Sequence, residues 1–82
     1  MKLKVGHIYF YHGKNYVWAN AFEVIEKNYS KNTVTVKVLW DNKADGMDWT
    51  NRILTFNLDS LENQPEDVIR EMNEEDIVLE MI

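Results

Sequence analysis

The sequence predicts a mainly β fold, with five antiparallel strands closed into a small barrel and one short helix near the C-terminus. Three observations carry this. Residues 1–60 are divided into apolar segments of strand length by clusters of Gly, Asn, Asp and Ser. Residues 33–40, TVTVKVLW, alternate apolar and polar side chains with the period of a half-buried strand. The chain has 82 residues and no cysteine, which makes 1–82 a single domain with one core and no disulfide framework. Closing a sheet that small removes its exposed edges.

The first strand runs from Leu3 to Tyr11, with Leu3, Val5, Tyr9 and Tyr11 on one parity and Ile8 and Phe10 on the other. Gly6 interrupts it and marks a bulge where the inward face changes. His12-Gly13-Lys14-Asn15 supplies a hairpin turn. Tyr16 to Ile25 is apolar on both parities and tolerates a helix, but its aromatic and β-branched content favours a long, bent strand. Asn28 to Asn32 is the next turn. Thr33 to Trp40 then places Val34, Val36, Val38 and Trp40 inward, and a one-residue slip would expose the whole row.

After the loop Asp41–Asp48, residues Trp49 to Leu58 form the fourth strand, with Leu54, Phe56 and Leu58 on one side. All barrel strands thus fall within 3–58. Pro65 suits the first turn of a helix over about 65–73, where its missing N–H costs nothing. Glu66 and Asp67 lie near the positive end of that helix dipole, and Val68, Ile69 and Met72 have the spacing of one buried stripe. Residues 77–82 alternate as a closing strand.

The series Lys4-Val5-Gly6-His7-Ile8-Tyr9, then Tyr16-Val17-Trp18, then Asn32-Thr33-Val34-Thr35-Val36-Lys37-Val38-Leu39 resembles small SH3-like barrels of the KOW and Tudor type. The resemblance spans residues 1–60 and implies a binding module, not an enzyme. Small size, acidity and the lack of catalytic motifs are also similar in type to small phage-encoded inhibitors such as anti-restriction and anti-CRISPR proteins. That likeness implies a protein that binds a host defence or nucleic-acid-processing protein.

Charge is unevenly divided. Residues 1–42 carry six lysines against Glu23, Glu26 and Asp41, whereas residues 43–82 carry Lys43, Arg52 and Arg70 against eleven acids. The net charge of −5 argues against a general polyanion binder, because neutralising phosphate requires clustered Lys and Arg. No apolar run is long enough to span a bilayer, and Gly6 and His7 interrupt any signal-peptide core, so a cytoplasmic location without membrane contact is expected.

Catalytic and metal chemistry find little support. His7 and His12 have opposite parity and no completing ligands, so no zinc site is expected. The loop from Asp41 has Lys43 at the third position and Arg52 at the twelfth, where a calcium loop requires oxygen ligands. No nucleophile elbow, phosphate loop or dinucleotide fingerprint is present. The chain is read as a non-enzyme with no cofactor.

Binding is the remaining chemistry. Glu62, Glu66, Asp67, Glu71, Glu74, Glu75 and Asp76 form an acidic surface suited to a basic groove on a protein partner. The plainer alternative for these residues is a solvated face. Tyr11, Tyr16 and Trp49, at strand ends or turns, supply an aromatic rim of the kind that anchors interfaces. The function expected is that of a small acidic inhibitor of a defence or nucleic-acid-processing protein. The second choice is a nucleic-acid- or peptide-binding module that uses Lys2, Lys4, Lys14 and Lys37 with the aromatics. Either monomer or homodimer is compatible with an edge strand.

Overall fold

A computed structural model describes residues 1–12, 21–41, 43 and 46–73. It contains strands β1 (Ile8–Tyr11), β2 (Ala21–Asn28), β3 (Thr33–Trp40) and β4 (Ile53–Asn57), helix α1 (Leu58–Glu62) and strand β5 (Ile69–Met72). The strands form one antiparallel sheet in the order β4-β3-β2-β1-β5.

The fold is therefore mainly β with five strands and one short helix, but the sheet is open. β4 and β5 are its two ends, and among the described residues no ladder joins them, so the SH3-like barrel does not form. The physical reason lies in the connection between those strands. It carries α1, whose Leu58 and Leu61 are buried in the same cluster as Leu3, Tyr9, Tyr11 and Ile69. Helix side chains thus fill core space beside β3 and β4.

β3 occupies the residues its alternation predicts, and Val34, Val36 and Val38 are fully buried. Trp40 departs from the expected inward row and is only half-buried. Ala21 pairs with Trp40 and Phe22 with Val38, so a bulge at Leu39 breaks the alternation. Asn28 closes the β2–β3 turn, its Oδ1 accepting from the Lys31 N–H at 3.1 Å and from Ser30 Oγ at 2.8 Å.

The first strand is shorter than predicted. Gly6, at φ +85°, forms a turn closed by the His7 N–H on the Lys4 carbonyl (3.1 Å), and it is the expected bulge. The Gly6 N–H reaches the Val24 carbonyl at 2.7 Å while the Val24 N–H reaches the His7 carbonyl at 3.0 Å, so two residues oppose one before the regular ladder of β1 starts at Ile8. β4 is likewise confined to the second half of the predicted segment.

The helix predicted near 65–73 is not there. Residues Pro65 to Val68 make a turn, and Ile69 to Met72 form β5 beside β1. Ile69 and Met72 mimic a helical stripe because both are buried. In a strand, residues three apart lie on opposite faces: Ile69 stands opposite Tyr11, and Met72 opposite Ile8. The helix forms instead where Asn57 caps it, its Oδ1 accepting from the Ser60 N–H at 2.9 Å. The expected closing strand over 77–82 lies outside the described residues, as do residues 16–20 of the second strand.

Candidate functional site

Among the described residues, the acidic side chains of the expected surface differ in their surroundings. Glu62 ends α1, where its negative charge opposes the helix dipole. It is compensated from elsewhere: its Oε2 accepts from the Leu3 N–H at 2.8 Å and from Lys27 Nζ at 3.1 Å. The two charged side chains are 15% and 7% exposed, so this acid is part of the fold's interior wiring.

Glu71 is tied as well. It stands on β5 opposite Tyr9, hydrogen-bonded to His7 Nδ1 and with Lys4 Nζ at 4.0 Å. The His7 hydrogen bond holds its carboxyl below the usual range, partial burial works against this, and the Lys4 charge assists.

Glu66 and Asp67 are exposed on the turn before β5. That turn is closed by the Val68 and Ile69 N–H groups on the Pro65 carbonyl (2.9 and 3.2 Å). It is fixed to the end of β1 by the His12 N–H on the Val68 carbonyl at 3.0 Å. Neither carboxylate has a partner among the described residues. Glu74, Glu75 and Asp76 lie outside the described residues.

Of the expected aromatic rim, Tyr11 and Trp49 are among the described residues. Tyr11 is buried in the core against the β5 side, which removes it from any rim. Tyr16 lies outside the described residues. Trp49 is half-buried, donates its backbone N–H to Asp41 Oδ2 at 2.9 Å, and carries the Arg52 guanidinium 4.7 Å above its ring. Asp41 is itself buried and also accepts from the Lys43 N–H at 3.2 Å, so it organises the loop between β3 and β4.

Three features escaped the sequence reading. Tyr29, on the β2–β3 turn, is 69% exposed, with Lys27 Nζ 4.9 Å from its ring centroid. The Lys27–Glu62 contact joins residues 35 apart and has no local sequence signal. Arg70 stacks over Phe10 at 5.4 Å, as cross-strand neighbours on the face away from Tyr9 and Tyr11.

Among the described residues no three His, Asp or Glu side chains converge to hold a metal ion. Nor is any helix among them long and apolar enough to cross a membrane. What the arrangement offers is a five-stranded sheet with an acidic turn at one end of β1. No protein-family model, curated protein or solved structure matches the chain, so neither the SH3-like resemblance nor the likeness to phage inhibitors has support from relatives.

Proposed function

We propose that this chain is a non-catalytic binding protein that docks through its acidic turn onto a basic protein surface, and that it acts as an inhibitor of a nucleic-acid-processing protein. A groove built to hold phosphate is basic, and exposed carboxylates complement it. The observation that carries this reading is that Glu66 and Asp67 stand side by side and exposed on a turn fixed to the end of β1. Lys27 is bound to Glu62 and to the Leu3 carbonyl, Lys4 faces Glu71, and Lys43 lies 3.7 Å from Asp48. Glu66 and Asp67, by contrast, are exposed and lack a partner among the described residues. Phosphate binding would need a cluster of free cations, and Lys4, Lys27 and Lys43 are instead engaged by carboxylates.

The test is affinity capture with the tagged chain from a nuclease-treated lysate and from an untreated one, alongside Glu66→Lys/Asp67→Lys. A protein retained by the wild type and lost with the double reversal supports the reading. Retention that is indifferent to the reversal, or co-purification of DNA or RNA that the reversal strengthens, overturns it.

A further inference from the structure

The open sheet leaves β4 as an end strand, and its ladder has a definite phase. Val38 donates its N–H to the Arg52 carbonyl at 2.9 Å, and Leu58 donates to the Asn32 carbonyl at 2.9 Å. In the β3–β4 register, where Val36 opposes Leu54 and Val34 opposes Phe56, these bonds place the even-numbered β4 residues in the bonded pairs. The backbone groups of Ile53 and Thr55, and the N–H of Asn57, therefore point away from β3. No described residue meets them.

Natural edge strands are commonly protected by charge, proline or a bulge. β5 carries Arg70 and Glu71. β4, with the sequence ILTFN, carries no charge and no proline, and its Ile53 is 55% exposed. Its core-side residues Leu54 and Phe56 pack against the buried cluster but remain only partly covered.

We propose that β4 pairs antiparallel with β4 of a second copy of this chain, about a two-fold axis through Thr55, to make one continuous sheet across a homodimer. Three features fit that occupant. First, the outward groups match: the two Thr55 residues exchange backbone hydrogen bonds, and each Asn57 N–H reaches the other copy's Ile53 carbonyl. Second, the same register sets Leu54 of each copy opposite Phe56 of the other, on the core side and in a non-hydrogen-bonded pair, where side chains approach most closely. Third, the charges at the two ends complement each other. Arg52 precedes β4 and Asp59 follows it, both exposed, so antiparallel pairing carries Arg52 of each copy toward Asp59 of the other. A two-fold contact of this kind is closed and stops at two copies.

A patch of this size implies weak association, so sedimentation equilibrium and amide hydrogen exchange should be followed from about 1 µM to about 1 mM chain. The wild type should pass from monomer to dimer, with the Thr55 and Asn57 amides gaining protection as it does so. The Leu54 and Phe56 amides, already bonded to β3, should not change. Thr55→Lys places two like charges on the axis and should raise the dimer dissociation constant at least about tenfold. Arg52→Glu should also weaken the dimer, and Arg52→Glu/Asp59→Arg should restore it. The charge swap serves as the decisive variant if Thr55→Lys does not fold. A chain that stays monomeric throughout, or a dimer indifferent to these substitutions and without concentration-dependent protection at Thr55, overturns the proposal.

Discussion

Lys27 Nζ lies 3.1 Å from Glu62 Oε2 and 2.7 Å from the Leu3 carbonyl, while the same carboxylate oxygen accepts the Leu3 N–H. One buried ion pair thus fastens the N-terminal segment, β2 and the end of α1 to one another. Removing one partner leaves the other charge buried and unpaired. Lys27→Met should destabilise the domain by about 3 kcal/mol, and Lys27→Met/Glu62→Leu by much less, because the pair's desolvation cost disappears with both charges. Urea unfolding of the single and double variants measures the difference.

Val36 is fully buried between its neighbours Val24 and Leu54 in the sheet. Val36→Asp should abolish cooperative unfolding, since an unpaired carboxylate there costs at least ~3 kcal/mol, a large share of a small domain's stability. A soluble variant that melts cooperatively would show that the β3 register is wrong.

Asn32 and Asn57 hold the start of α1 together. Asn57 Oδ1 caps the helix and accepts from Asn32 Nδ2 at 3.3 Å, while Asn32 Oδ1 accepts the Asp59 N–H at 3.1 Å. Asn57→Ala should lower stability by about 1 kcal/mol. Asn32 sits at φ +54°, so Asn32→Ala should be more damaging than Asn32→Gly, because only glycine keeps that backbone conformation without strain. Thermal melts of the three variants check both the size and the order.

Glu71 gives the domain an acid-sensitive contact. Its carboxyl is held low first by the His7 hydrogen bond and then by Lys4. A carboxyl depressed by folding contributes stability that is present above its unfolded value of about 4.3 and lost as pH falls through the lower, folded value. Glu71→Gln should therefore flatten the acid limb of stability against pH, leaving other carboxylates to account for what remains. Denaturation midpoints across about pH 2 to 6 would reveal it; an acid limb identical to the wild type's would contradict the assignment.

Local pattern was the legible part of this fold. β3 as far as Val38 and the Asn28–Asn32 turn can be read residue by residue, because alternation and turn chemistry act within a few positions. Strand closure could not be read in that way. Whether β4 meets β5 depends on what the connection between them places in the core, and Leu58, which is buried on α1, reads equally well as the end of the fourth strand. The stripe at Val68, Ile69 and Met72 misled for a related reason, since burial on both faces of β5 imitates one helical face. Among the site residues, Glu66 and Asp67 are exposed as composition suggests, whereas Glu62 is claimed by Lys27 across 35 residues, a contact that no local rule reaches.

The most direct measurement of the acidic-turn reading is the association rate with the captured partner, taken by stopped flow at rising salt. For the wild type the rate should fall steeply between low salt and ~0.5 M, because screening shortens the reach of exposed charges. Glu66→Lys/Asp67→Lys should start slow at low salt and depend little on salt, with an unchanged melting temperature, since long-range attraction mainly accelerates encounter. Equal rates and equal salt slopes for the two proteins would contradict it, and would leave Glu66 and Asp67 as a solvated turn.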